Sequence, residues 1–365
     1  MTDRMPAVQG NVLKSASKLN NFGFLRLLFA SCVVVSHSPV LLDGSSDREP
    51  FIRMFHGEGL GTYSVYGFFL ISGYLITQSF VATNNPYLFF LKRCARIVPG
   101  YFVNFWLGVF LFAPLAGGLI DHRVVVEGLL ANVRLLGPDV PGAFANLPIP
   151  SINGSVWSIP YEFRCYVLTA ILGMLCLHKN NNKLAILFLA VFLALTKETV
   201  LTDNNFPGSS ILGLAKTSAQ LAFSYLVGAL FFVYNDRIKI SIHIAVVAAI
   251  FLFLSLEFNY FPQIVFSIAG GCIIFWVAFK VPVFQISRLN NKLDFSYGLY
   301  LYAWPVQSMI IFWFGSISPW TLTAASLVVA SLFAVASWLL VEKPALALAA
   351  AIARGLRLRA VVASA

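Results

Sequence analysis

Residues 22–41 read FGFLRLLFASCVVVSHSPVL. The stretch is apolar except for Arg26, His37 and the serines Ser31, Ser36 and Ser38, and its length is the ~20 residues a helix needs to cross a bilayer. An ionisable group inside such a stretch is costly, so it usually faces a polar interior or does chemistry. His37 follows Arg26 by eleven residues, which is ~16 Å along a helix rising 1.5 Å per residue. Its imidazole can take up and return a proton near neutral pH. Structural roles compete with the chemical one. Arg26 can snorkel to headgroups, and His37 can be hydrogen-bonded between helices.

The rest of the chain is as apolar as this segment. Of 365 residues, 59% are hydrophobic and 11% charged, with a mean hydropathy of +0.80. A soluble domain carries about 25% charged residues, so an ordinary soluble enzyme is excluded, and the surplus apolar surface, including 34 Phe, is expected to face lipid. The net charge of +10 is read as basic residues gathered on cytoplasmic loops rather than as a nucleic-acid surface. Cys32, Cys94, Cys165, Cys176 and Cys272 are odd in number and form no CxxC, so neither disulfides nor a metal site is expected. No cleavable signal peptide is expected ahead of the first span.

Hydropathy predicts an all-α, polytopic transmembrane helix bundle of about ten spans, with both termini cytoplasmic. The spans fall near 22–41, 60–80, 98–120, 156–177, 184–200, 212–234, 242–258, 261–279, 297–315 and 320–341, the fifth and seventh being short. With the termini inside, 18 Lys and Arg fall on cytoplasmic segments and six (Arg48, Arg53, Arg123, Arg134, Lys197 and Lys216) on the opposite side, the asymmetry that orients membrane helices. Residues 1–345 are expected to form one integral-membrane domain and 346–365 a short basic tail. In that tail Arg354, Arg357 and Arg359 lie on one helix face that can rest on an anionic leaflet. The outer loops 42–59 and 121–155 are the expected source of selectivity on the outer side.

Further polar groups lie where a membrane tolerates them poorly. Arg93 and Arg96, three apart, share a helix face and can hold a phosphate bidentately; plain anchoring at the inner surface is the alternative. Pro99 is expected in the first turn of the next span. Glu162 and Arg164 open the fourth span, and Glu162 can orient a histidine, bind a hydroxyl or form a buried ion pair. Trp157 suits an outer interface. Gly67, Ser72 and Gly73 permit close helix approach. Tyr297, Tyr300 and Tyr302 line a polar route or an interface, Asp294 caps their helix, and Pro305 bends it.

Taken together these pieces resemble the membrane acyltransferase 3 family over about residues 20–345. The resemblance rests on Arg26 and His37; on Phe68, Phe69, Ser72 and Gly73; and on Arg93, Arg96, Ile97 and Pro99. It continues with Asn153, Gly154, Trp157, Ser158 and Glu162, then Ser296, Tyr297, Tyr300, Leu301 and Pro305, and finally Val341, Glu342 and Pro344. Each pattern is weak alone; their order is specific. Ala303 stands where many members have a histidine, which throws more weight onto His37. Some members add an extracytoplasmic esterase-like domain that these residues do not contain, so the membrane part is expected to complete transfer alone or with a partner.

The resemblance implies a membrane-bound O-acyltransferase of the bacterial inner (cytoplasmic) membrane. It implies an acyl group, commonly acetyl, moved from acyl-CoA to a hydroxyl of an envelope or secreted saccharide; acceptors across the family include O-antigen, exopolysaccharide, peptidoglycan, nodulation oligosaccharides and macrolides. His37 is then the expected general base, helped by Arg26 and Glu162, with an acyl-histidine intermediate as the variant. Arg93 and Arg96 are the expected acyl-CoA contacts. Ser72, Asn153, Trp157, Ser158, Tyr297 and Tyr300 are expected to line the cavity or the acceptor path. No bound cofactor or metal is expected, acyl-CoA being a co-substrate. The other expected partners are a saccharide or lipid-linked glycan, the bilayer and glycan-assembly proteins, with no nucleic acid. A transporter or flippase for a glycan or lipid, and a structural membrane subunit, are the competing classes; acyl-CoA-dependent labelling of a glycan separates them.

Overall fold

The computed structural model describes residues 20–83, 85–175, 214–315 and 317–364. The expected span 184–200, the loop 178–183, Lys197, Cys176 and the first nineteen residues lie outside them. The described chain is all-α. In order it runs α1 (Phe22–Asp43), α2 (Pro50–Phe55), α3 (Leu60–Thr83), α4 (Pro86–Leu115), α5 (His122–Val133), α6 (Ile159–Met174) and α7 (Ala215–Val233). It continues with α8 (Ile242–Glu257), α9 (Pro262–Lys280), α10 (Gln285–Leu293), α11 (Ser296–Phe314), α12 (Pro319–Ser337) and α13 (Lys343–Ser364). Turns of π-helix interrupt α4 at Gly108–Phe112 and α9 at Phe266–Gly270, and a third, Trp338–Glu342, joins α12 to α13.

Among the described residues six helical runs are long and apolar enough to cross a membrane, which corrects the expectation of about ten: α1, α3, α4, α7, α9 and the run Pro319–Leu356. Three expected spans fall short. The stretch 156–177 begins as a tight 3-10 turn, Gly154–Ser158, leaving only 16 residues of α-helix in α6. The stretch 242–258 yields the 16 residues of α8. The stretch 297–315 does form the 19-residue α11, but Ser296, Tyr300, Tyr302, Gln307 and Ser308 lower its apolarity and lie buried with most of the helix. A helix enclosed on all sides belongs to a protein interior, and hydropathy alone does not separate that case from a lipid-facing helix.

The chain forms two compact units. The first draws on Met1–Phe29, Phe51–Pro86 and Tyr161–Arg288, and the second on Ala30–Pro50, Tyr87–Pro160 and Leu289–Ala365. In the first unit α3 and α7 meet backbone to backbone. A Cβ added at Gly73 would stand 1.9 Å from the Tyr225 carbonyl oxygen, and one at Gly228 2.0 Å from that of Leu70. Small residues permit such approach, the usual packing of helices in lipid, where dispersion replaces the hydrophobic drive. Phe22, Leu70, Tyr74, Phe223 and Phe275 build the core around this contact. Asn21, fully buried, donates to the carbonyls of Val277 and Val281 at 3.0 and 3.1 Å and so satisfies the end of α9.

In the second unit α11 packs along α12, with Gly298 against Ala334. Ser318 caps α12, its Oγ accepting from the Thr321 N–H at 3.0 Å, and Pro319 occupies the first turn. Pro99, expected at the start of a span, instead lies inside α4, so Arg93 and Arg96 sit within a continuous helix.

Gly73→Val is expected to force α3 from α7, to cost stability of about 1–3 kcal/mol as overpacking does, and so to lower the thermal midpoint in detergent. Gly355→Ala, where a Cβ meets nothing within 4 Å inside α13, is expected not to lower the midpoint.

Candidate functional site

Pro305 has no N–H, so the carbonyl of Leu301, one turn back in α11, loses its helical donor. Two asparagines supply it. Asn104 of α4 donates through Nδ2 at 3.0 Å and Asn153 through Nδ2 at 2.8 Å. Asn153 also donates to the Asn104 Oδ1 at 3.0 Å, and its own Oδ1 accepts from the Ser155 N–H at 3.1 Å. One buried side chain thus joins α4, α11 and the turn Gly154–Ser158. Tyr300 reinforces the turn, its hydroxyl donating to the Ser155 carbonyl and lying 2.8 Å from the Ser158 Oγ.

His37 faces that turn. Its Nδ1 stands 3.5 Å from the Ser155 Oγ, and its ring meets the Trp304 ring edge-on at 4.8 Å between centroids. Trp304 is itself tied to the Ser151 carbonyl through Nε1 at 3.1 Å. The neighbouring turn of α1 is pinned as well. Ser38 donates to the Val34 carbonyl at 2.9 Å, Gln307 Nε2 donates to the same carbonyl at 3.0 Å and to the Ser38 Oγ at 2.8 Å, and Thr323 donates to the Ser38 Oγ at 2.7 Å. These bonds brace the turn of α1 beside Pro39, a residue that leaves the Val35 carbonyl without its helical donor.

A charged cluster forms a second centre in the same unit. Arg96 pairs with Asp294 at 3.0 Å and with Glu342 at 3.2 Å. Its guanidinium also lies 5.5 Å from the Tyr297 ring and 5.7 Å from that of Trp338. Glu342, fully buried in the π-turn, accepts a further bond from Ser337 at 3.0 Å. Tyr297 donates to the Ile97 carbonyl at 3.0 Å. Arg96, read from sequence as a phosphate contact, is therefore engaged by two carboxylates. Asp294, expected to cap α11, adopts the left-handed φ of +39° and turns its carboxylate to Arg96, while Phe295 begins the helix without a side-chain cap.

The second unit holds His37, Arg93, Arg96, Asn153, Trp157, Ser158, Tyr297 and Tyr300, with Trp157 exposed. The first unit holds Arg26, Ser72 and Glu162. There Glu162 sits in the first turn of α6, where the helix dipole favours a carboxylate. Its Oε1 accepts from Ser72 at 2.9 Å and from Tyr166 at 2.6 Å. Arg164 lies over the Tyr161 ring at 4.6 Å. Among the described residues no group of His, Cys, Asp and Glu gathers at metal-binding distance.

Sequence reasoning passed over Asn104, Ser155 and Gln307 and gave Trp304 and Glu342 no role at the site. The available signals were Pro305, which predicts an orphaned carbonyl, and Gly154, where an added Cβ would stand 2.5 Å from Trp304.

Residues 19–342 match a family described as an acyltransferase domain, and the chain belongs to that family. An O-acetyl transferase of Shigella phage Sf6 is 29% identical over 303 residues, 80% of this chain and 86% of that one. Nodulation protein 10 of Rhizobium leguminosarum bv. viciae is 27% identical over 367 residues, 92% of this chain and 95% of that one. Acyltransferase MdmB of Streptomyces mycarofaciens is 28% identical over 127 residues, 33% of this chain and 31% of that one. No solved structure matches the chain. The protein is a multi-pass membrane member of an acyltransferase family.

Pro305→Ala restores a donor to the Leu301 carbonyl and displaces the asparagines; acyl transfer in isolated membranes is expected to fall while the amount of inserted protein stays constant. Arg96→Gln leaves Glu342 buried without its counter-ion, a loss of about 3–5 kcal/mol for a broken buried pair. The double variant Arg96→Gln/Glu342→Gln is expected to recover part of that loss in detergent unfolding.

Proposed function

We propose that the protein transfers an acyl group, acetyl in the simplest case, from cytoplasmic acyl-CoA to a hydroxyl of a cell-envelope or secreted saccharide, as a multi-pass protein of a bacterial inner membrane. The observation that carries the reading is His37: an imidazole on a membrane-length helix, flanked by a serine and a tryptophan that are themselves fixed. Two of the relatives, an O-acetyl transferase and an acyltransferase, are named for the same chemistry.

In this reading His37 acts as general base. A saccharide hydroxyl is a poor nucleophile until its proton has somewhere to go. His37 takes that proton as the hydroxyl oxygen attacks the thioester carbonyl. The tetrahedral intermediate then collapses, the C–S bond breaks, and the CoA thiolate leaves and receives the proton from His37. Arg26 is assigned to the developing negative charge and Glu162, held by Ser72 and Tyr166, to the acceptor. Arg93 is assigned to the donor phosphates. Arg96, one turn along the same face of α4, supports it through its carboxylate pairs. Asn153, Ser158, Tyr297 and Tyr300 shape the polar surroundings through the bonds described above.

His37→Ala is expected to insert normally and to lose acyl transfer by about 10²–10⁴-fold, the usual weight of a general base. Mass spectrometry of envelope glycans from cells with and without the variant reads both the acyl mass and its acceptor. Undiminished acylation by the variant overturns the assignment.

A further inference from the structure

The geometry points to Ser155 as the positioning residue of His37: its hydroxyl oxygen accepts from the Nδ1–H of the imidazole and so leaves Nε2 as the atom that takes the proton. The inference rests on the reading of His37 as the base and adds which of its nitrogens works and what holds it there.

Ser155 is held on both sides of its backbone. Its N–H is taken by the Asn153 Oδ1 at 3.1 Å and its carbonyl by the Tyr300 hydroxyl. The residue is fully buried. With N–H and C=O both fixed, the direction of its Cα–Cβ bond is set, and its Oγ lies 3.5 Å from the His37 Nδ1. The other neighbour of the imidazole depends on the same turn. Trp304 is bonded to the Ser151 carbonyl and lies over Gly154, which has no room for a Cβ. From the α1 side, Gln307 and Thr323 hold Ser38, the residue beside His37. Serine, tryptophan and histidine are thus each anchored by bonds that do not involve a substrate, the mark of a preorganised base.

The choice of nitrogen follows from what a base requires. A neutral imidazole carries one N–H and one lone pair, and the tautomer is set by the partner of the other nitrogen. A serine hydroxyl at Nδ1 accepts in one tautomer and donates in the other; only the first, with the proton on Nδ1, leaves the Nε2 lone pair open as a base requires. When Nε2 takes the proton of the acceptor hydroxyl, Nδ1–H keeps Ser155 as its acceptor, so the ring need not turn during the step.

The test uses the full chain in lipid nanodiscs with 15N-labelled histidine, His37 being assigned by the signals lost in His37→Gln. In the unsubstituted protein the Nδ1–H tautomer is expected to predominate; an Nε2–H tautomer overturns the inference whatever any variant does. Ser155→Ala is expected to mix the two tautomers and to lower kcat on the order of tenfold, the weight of one orienting hydrogen bond, with KM for the acyl donor unchanged. Ser155→Thr, which keeps the hydroxyl, is expected to restore the tautomer. A Ser155→Ala protein with normal kcat and an unchanged tautomer also overturns the inference. Failure of the base assignment is read separately, as acyl transfer surviving in His37→Ala.

Discussion

A proline in an enclosed helix leaves a carbonyl oxygen without its donor, and the second unit is organised around that oxygen. In water the carbonyl of Leu301 would be solvated at little cost. Inside a membrane protein an unsatisfied backbone group costs several kcal/mol, so it must be bonded from another element. Asn104 and Asn153 reach it from α4 and from the turn ahead of α6. Because Asn153 spends its remaining oxygen on the Ser155 N–H, meeting the demand of α11 also fixes the turn that faces His37. A local backbone defect thereby places the residues around the one imidazole on which the proposed chemistry depends.

The charged cluster follows the same rule at higher stakes. Glu342 is fully buried, and a carboxylate there is tolerated only with a counter-ion and its remaining lone pairs bonded. Arg96 supplies the charge and Ser337 a hydrogen bond, while the rings of Tyr297 and Trp338 flank the guanidinium. The π-turn at Trp338–Glu342 adds a residue to the helix and shifts which side chain faces inward, a device common where a helix carries a functional group. The two centres differ in kind: the histidine site is built from neutral hydrogen bonds, the Arg96 site from charges that neutralise one another.

Much of this architecture was legible in the residue order, and the losses have physical causes. The helix of His37 was readable because Arg26 and His37 stand out against an apolar background. The count of spans was misread because hydropathy measures how apolar a segment is and says nothing of what it faces. It assigned a crossing to α11, whose polar residues are enclosed by protein, and to the 16-residue α6 and α8. The carboxylate partners of Arg96, Asp294 and Glu342, were not legible because they lie about 200 or more positions along the chain, beyond the reach of any local pattern.

What the sequence by itself determined is the solvent and the class: a chain with this many apolar residues and this few charges must live in lipid, and the ordered polar motifs within it mark an acyltransferase family. Which polar group meets which was decided by the tertiary structure alone. Covalent order specifies that Pro305 frees a carbonyl, but not that Asn153, some 150 residues away, is the donor that reaches it. Hydrogen bonds act over about 3 Å, so the pairing of His37 with Ser155, and of Arg96 with Glu342, exists only once packing has brought their helices together.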